Sequence, residues 1–215
     1  MRVTASMLYD LIQCPHRLAM DRHGDPAKRD PVNPFVELLW ERGTTWEEEV
    51  IAALALPYIN LKGLPDDQRK RRTLEAMRRG EPLILGGRIA AADLLGDPDV
   101  LRREDEGYLA GDIKSGGAFD GVENGDDGKP KKHYGVQLAL YTDILERLDL
   151  CHARRPFVWD VHGREVVYDL NAPLGKRTPQ SLWGLYLDKL EEARGILGRS
   201  WETAPACSST CKLCH

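Results

Sequence analysis

No run of apolar residues in this chain of 215 approaches the roughly eighteen that a membrane span needs, and the N-terminus lacks the apolar core of a signal peptide. A cytoplasmic protein with no membrane association is therefore expected. Positive charge is not in surplus either: 30 Lys and Arg stand against 34 Asp and Glu, for a formal net charge of −4. A nucleic-acid binder living on its overall field would be basic, so any such binding here has to be local. Basic residues do cluster at Arg69-Lys70-Arg71-Arg72, at Arg78-Arg79, at Lys129 with Lys131-Lys132 and at Arg154-Arg155. A solvated helix face accounts equally well for the 69–72 group. Acid concentrates at Glu47-Glu48-Glu49 and Asp105-Glu106. Cysteines are few, five in all. In a reducing compartment such thiols serve as metal ligands, catalytic groups or buried side chains rather than disulfides.

The hydrophobic content of 42% is enough for a core, and the length suits a single domain over 1–215. Residues 6–22 read as a helix that Ser6 can cap, with Met7, Leu8, Leu11, Ile12, Leu18 and Ala19 at helical spacing and Cys14-Pro15 interrupting the pattern. Further helices are expected over 35–55, 66–79, 131–148 and 178–197. Strand-like runs cover 83–95, 107–114, 156–161 and 165–170, and a Gly- and Asp-rich loop fills 115–130. No internal repeat is present. Helices first, then strands, then a helix crossing to further strands predict an α/β fold with a mixed central sheet flanked by helices.

Two of those strand-like runs end in chemistry. Asp93 closes the first, and Asp112-Ile113-Lys114 closes the second. Asp93, Asp112 and the backbone carbonyl of Ile113 could ligate a hard divalent cation. Lys114, two residues on from Asp112, shares its face of the strand. That combination suits phosphodiester cleavage, which needs a metal and a cation for the charge that builds in the transition state. An exposed ion pair on a strand would look the same. Gln137 and Tyr141 lie four apart on one helix face, within a segment that otherwise reads as buried. They are either part of the site or a satisfied polar pair in the core. On the second helix one of Glu47, Glu48 and Glu49 could complete a metal shell; being consecutive they face different ways, so at most one or two can point inward.

The series Gly43-x-x-x-Glu47, Gly87 to Asp93, Gly111-Asp112-Ile113-Lys114-Ser115-Gly116 and Gln137-x-x-x-Tyr141 resembles the RecB-like branch of the PD-(D/E)xK nuclease superfamily, over nearly the whole chain. The resemblance implies a restriction-endonuclease-like core. It implies Asp93 and Asp112 as metal-binding acids for Mg²⁺ or Mn²⁺, Lys114 as catalytic lysine, and Gln137 and Tyr141 as positioning groups. Glu47 stands where many relatives carry a metal-binding histidine, and Asp112 where the commoner residue is Glu.

Cys207-x3-Cys211-x2-Cys214 near one end and Cys14 near the other can together ligate an iron-sulfur cluster or zinc, each of which takes four ligands. Cys14-Pro15-His16-Arg17 resembles the segment that carries the lone first cysteine in iron-sulfur nucleases of the same branch, among them the AddB nuclease domain and the CRISPR-associated spacer-acquisition nucleases. The resemblance implies a [4Fe-4S] cluster on Cys14, Cys207, Cys211 and Cys214 that joins residues 1–22 to the tail, 199–215. Structural Zn²⁺ on Cys14, Cys211, Cys214 and either Cys207 or His215 is the alternative, and Cys151 lies outside the pattern.

The expected function is a Mg²⁺- or Mn²⁺-dependent deoxyribonuclease, an exonuclease on single strands or duplex ends, in repair, recombination or CRISPR adaptation. Phosphates would meet the 69–72 and 129–132 clusters, and helicase or other DNA-processing subunits are the natural partners. A non-cleaving DNA-binding or scaffold module with a structural metal cluster competes with it, and an unrelated zinc-stapled α/β protein is a third reading.

Overall fold

A single proline decides how the chain begins. In the computed structural model, which describes residues 1–121, 128–175, 178–207, 211 and 214, the helix expected over 6–22 is two helices, α1 (Ala5–Gln13) and α2 (Pro15–His23). Cys14 between them is extended, with φ −164° and ψ 112°. The ring of Pro15 disfavours helical backbone in the residue before it, and Pro15 has no N–H to carry the ladder onward. It is tolerated as the first residue of α2, where no donor is needed. The cap also differs: Thr4, not Ser6, accepts the Met7 N–H at 3.2 Å.

The later helices follow the expected spans closely: α3 (Pro34–Ala52), α4 (Asp66–Arg79), α5 (Lys132–Arg147) and α6 (Leu182–Leu197). Helix α4 carries Asp66 and Asp67 in its first turn and Arg78 and Arg79 in its last, matching its dipole at both ends. It stops at Gly80, whose φ of 78° suits a residue without Cβ. Helix α6 starts later than expected, because Ser181 caps it by accepting the Gly184 N–H at 3.1 Å.

The strands in chain order are β1 (Val3–Thr4), β2 (Ile59–Asn60), β3 (Leu83–Leu85), β4 (Ile89–Ala91), β5 (Leu94–Gly96), β6 (Val100–Glu104), β7 (Gly107–Ile113), β8 (Phe119–Asp120), β9 (Lys129–Pro130), β10 (Phe157–Trp159), β11 (Glu165–Val167), β12 (Pro173–Gly175) and β13 (Thr178–Ser181). A mixed six-stranded sheet runs β11-β10-β7-β6-β3-β2, and a smaller one runs β1-β5-β4; β8-β9 and β12-β13 are two-stranded ribbons. The run expected over 83–95 is thus three strands. Gly86, at φ 61°, ends β3, and the positive φ of Ala92 marks the tight turn from β4 to β5. Strand β6, absent from the sequence reading, forms an antiparallel hairpin with β7, while β10 returns parallel to β7 after α5. A parallel neighbour needs such a crossover.

Helices cover both faces of the main sheet. On one side Leu8 and Leu11 of α1, Leu138 and Leu145 of α5 and Ile196 of α6 form a single buried cluster, each side chain contributing about 1.5–3 kcal/mol by leaving water. On the other side Trp46, Val50, Ile51 and Leu54, from α3 and the residues just after it, pack on Leu83, Leu85, Val100, Leu109, Ile113 and Phe157. Enclosed on both faces, β7 buries all seven of its residues, Asp112 included. The N-terminal half of α3 stands clear of this packing: Phe35, Leu38 and Trp40 are each more than half exposed. Among the described residues no helix is long and apolar enough to cross a membrane.

Candidate active site

The β6–β7 register brings two acids together. Val100 pairs with Gly111 in the antiparallel ladder, so the residue before Val100 meets the residue after Gly111, and these are Asp99 and Asp112. Asp99 Oδ2 accepts the Ile113 N–H at 2.8 Å. Asp112 is 1% exposed, held in place by β10 through the pair Val158–Asp112. Lys114 Nζ lies 2.9 Å from Asp112 Oδ2, an ion-pair contact without the alignment of a hydrogen bond. Burial, then the like charges of Asp112 and Glu47, push the Asp99 carboxyl far above the carboxylate range, to about 8, against the opposing pull of Lys114. Burial alone would lower Lys114. The carboxylates of Asp112 and Asp99 outweigh it and hold the ammonium above its ordinary pKa.

Asp93, the acid expected from sequence, is not part of this group. It sits in the β4–β5 turn of the smaller sheet, where Arg194 of α6 grips both its oxygens at 2.8 Å. That guanidinium holds its carboxyl below the usual range, and the other charge acting on it is Arg147. The residue that sequence reading missed is Asp99. Its signal was the dipeptide Pro98-Asp99 directly ahead of Val100, obscured because β6 went unrecognised. Glu47 does reach the site: its charge acts on Asp99, and its buried Oε1 is in ion-pair contact with Lys62 without an aligned hydrogen bond.

Gln137 and Tyr141 form a relay between the lysine and the turn that carries Asp99. Lys114 Nζ donates to Gln137 Oε1 at 3.2 Å, Gln137 Nε2 donates to Tyr141 Oη at 3.1 Å, and the Tyr141 hydroxyl donates to the Asp97 carbonyl at 3.3 Å. Burial, with Asp112 and Asp99 nearby, raises the Tyr141 pKa well above its ordinary value and keeps it a donor. A second clamp grips the same turn from outside. Arg88 Nη1 donates to both oxygens of Asp97 at 2.6 and 2.8 Å, and Arg69 Nη2 to Oδ1 at 2.6 Å. Arg69 is therefore occupied within the fold, whereas Lys70, Arg71 and Arg72 face solvent.

The donor set fits a hard divalent cation. Two carboxylates forced together in a buried place, one holding a raised pKa, are the arrangement that a cation relieves. Among the described residues no group of three or more His, Cys, Asp or Glu side chains is arranged to hold a metal ion unaided. Mg²⁺ does not require one: it binds through one or two carboxylates, completing its shell with water and substrate phosphate. Oxygen donors suit Mn²⁺ equally.

The cysteines gather elsewhere. Cys14, Cys211 and Cys214 line one cavity of 390 Å³ with His16 and Arg17, and Cys207 is exposed and does not line it. His215 lies outside the described residues. Burial opposes the Cys14 thiolate, yet the N–H groups of Ala206, Arg17 and His16 aimed at its sulfur prevail and hold its pKa below the ordinary thiol value. The Ala206 N–H lies 3.4 Å from Sγ. Thiolate is the form that ligates metal. Helix α1 packs directly on α5 and α6, and the tail already meets the fold through His16 Nδ1 and Thr203 Oγ1 at 3.0 Å and through Ser200 Oγ, which donates to the Gly195 carbonyl.

No protein-family model matches the chain, and no curated protein matches it. Among solved structures, one described as the crystal structure of SSO0001 aligns with a TM-score of 0.35 at 15% identity, over 85% of this chain and 93% of that one.

Proposed function

We propose that this protein is a metal-dependent nuclease that hydrolyses phosphodiester bonds of DNA, at single strands or duplex ends. The observation that carries the reading is the buried meeting of Asp99 and Asp112 beside Lys114, which itself lines a cleft together with Glu47, Ile113 and Gln137. A Mg²⁺ or Mn²⁺ ion on Asp99 and Asp112, with Glu47 and the Ile113 carbonyl at hand, would supply a Lewis acid for phosphoryl oxygen and a more acidic water. Lys114 enters as an ammonium. It takes no proton; it sets positive charge where the phosphoryl oxygens gain negative charge. Gln137 fixes that ammonium in direction, and the Tyr141 hydroxyl fixes the turn bearing Asp99. Exposed Lys70, Arg71, Arg72, Lys129 and Lys132 contact phosphates farther along the strand. The thiols of Cys14, Cys211 and Cys214, with Cys207 as the fourth, hold a [4Fe-4S] cluster or zinc in a structural role. We place the protein in the cytoplasm, working with a helicase or another DNA-processing subunit.

One observation favours a non-cleaving DNA-binding scaffold as the second reading: Glu47 is already engaged by Lys62, which reduces what it can offer a metal. Labelled single-stranded DNA with Mn²⁺ separates the two. Wild-type protein is expected to cut it, while Asp112→Ala and Lys114→Ala keep the wild-type circular dichroism spectrum and yield no product. Binding without products in the wild type would favour the scaffold.

A further inference from the structure

One buried tyrosine differs from the others. Tyr108, Tyr134, Tyr141, Tyr168 and Tyr186 are all buried, and a buried phenolic hydroxyl usually finds an acceptor. Tyr108 donates to the Glu81 carbonyl, Tyr141 to that of Asp97, Tyr168 to that of Ala118 and Tyr186 to the Asp143 carboxylate. Tyr134 is 8% exposed, and its hydroxyl has no hydrogen-bond partner among the described residues. Its ring is held by stacking on Tyr9 at 6.2 Å and by His133 edge-on at 4.6 Å. Packing thus fixes where the hydroxyl sits without using it.

The surroundings set what that hydroxyl can bond. Tyr134 lines the 500 Å³ cleft beside Lys114, with Lys114 Nζ 5.4 Å from its ring centre and Lys131 Nζ at 5.3 Å. Lys114 meets Asp112, whereas Lys131 has no ion pair among the described residues. A Cβ on Gly116 would stand 3.4 Å from Tyr134 Oη and 4.0 Å from Lys131 Nζ, so the hydroxyl and this ammonium border one space that the glycine leaves open. The acids lining the cleft are engaged, Asp10 with Arg17 at 3.2 Å and Glu47 with Lys62. Burial, then the neighbouring Tyr9, raises the Tyr134 pKa to about 12 and keeps it a donor; of the acids that act on it, Asp112 is tied to Lys114 and Asp120 faces solvent. A neutral donor beside an ammonium selects an anionic oxygen.

We infer that Tyr134 and Lys131 form a second phosphate subsite, in which the hydroxyl and the ammonium hold the phosphate next to the one at Lys114 on a nucleic-acid strand. The inference rests on the nuclease reading for the phosphate at Lys114 and on the unpartnered hydroxyl for its neighbour. A strand carries phosphates in series, so two ammoniums beside one ring suit it better than they suit a lone anion.

The test is binding of a short labelled oligothymidylate to the full-length protein, with Ca²⁺ in place of Mn²⁺ so that no turnover is needed. Tyr134→Phe is expected to weaken binding by about 10- to 150-fold, the effect of losing a hydrogen bond to a charged group. Its melting temperature should not fall, because the hydroxyl has no partner within the fold to lose. Lys131→Met should weaken binding and flatten the slope of log affinity against log salt by about 0.7, one phosphate contact on a single strand. A series of oligothymidylates, each with one phosphate replaced by an uncharged methylphosphonate, then locates the contact. One position should weaken wild-type binding by a factor similar to that of Tyr134→Phe and should weaken binding by Tyr134→Phe far less. Equal losses in the two proteins at every position, an unchanged affinity in Tyr134→Phe, an unchanged salt slope in Lys131→Met, or no binding by the wild type overturns the subsite. The two readings fail separately: a protein that shows the coupling and cuts nothing refutes the nuclease and leaves the subsite standing. One that needs Asp112 for cutting and shows no coupling does the opposite.

Discussion

Asp99→Asn is expected to abolish cleavage, and Asp93→Asn to leave it near the wild-type rate. The two acids are six positions apart, yet the fold gives them unrelated work. Asp99 shares a buried corner with Asp112, Glu47 and Lys114, so on the proposed mechanism its removal takes away a ligand for the metal. A correctly held ion contributes several kcal/mol to the transition state, and at tenfold per 1.36 kcal/mol the loss is about a thousand-fold or more. Asp93 meets Arg194 on a partly exposed surface, where an ion pair contributes about 0–1 kcal/mol; its variant should lose a little stability and no chemistry. Single-turnover rates at saturating Mn²⁺ decide the matter, and full activity in Asp99→Asn would remove the site assignment. Stability should move the other way. The folded pKa of Asp99 is raised to about 8, against roughly 4 in an unfolded chain, so between those limits the metal-free fold binds the extra proton and loses stability as pH rises. Asp99→Asn carries no such proton. Its melting temperature without metal is expected to exceed the wild type's most clearly at and above pH 8, by about 2–4 °C for each kcal/mol relieved, and added Mn²⁺ should stabilise only the wild type.

The misplacement of that acid shows what the sequence could and could not carry. Helices α3, α4 and α5 were legible from apolar spacing, reinforced in α4 by an acidic first turn and a basic last turn, in α3 by Glu37 in the first turn and in α5 by Arg147 in the last. Asp112, Lys114, Gln137 and Tyr141 were legible because strand alternation and helix spacing fix which side chains share a face. Strand β6 was not, since Arg102-Arg103-Glu104 reads as a solvated turn. Tertiary contacts make it a strand: Arg102 binds Glu104 and Glu165 and lies 4.3 Å over the Phe157 ring, so a charged residue becomes acceptable in the middle of a sheet. Without β6 there was no hairpin to set Asp99 against Asp112, and Asp93 took its place by proximity in sequence. Arg69 shows the same limit from the other side: a cluster of four basic residues gives no hint that the first of them is spent on Asp97.

On the proposed thiol ligation, Cys14→Ser is expected to lose the metal and release the tail while the rest of the fold stays intact. The argument begins at Pro15, which forces Cys14 into an extended conformation at the junction of α1 and α2, where its sulfur receives N–H groups of Ala206, Arg17 and His16. Those donors stabilise thiolate, and a hydroxyl there would remain neutral and bind soft metal poorly. Wild-type protein purified without oxygen should hold stoichiometric iron with visible absorbance. Colourless protein with stoichiometric zinc would assign the site to zinc instead. In Cys14→Ser either metal should fall to background, and a protease should then cut within 199–207, the part of the tail that metal ligation would tie to α2. A metal site whose affinity is folding free energy would be expected to unfold the whole protein when emptied. Here α1 is secured by Leu8 and Leu11 against α5 and α6 without it, so circular dichroism should be preserved and the melting temperature should drop by only a few degrees, about 1–2 kcal/mol at this chain length. Undiminished metal content in Cys14→Ser would show that the cavity it shares with Cys211 and Cys214 is not where the metal binds.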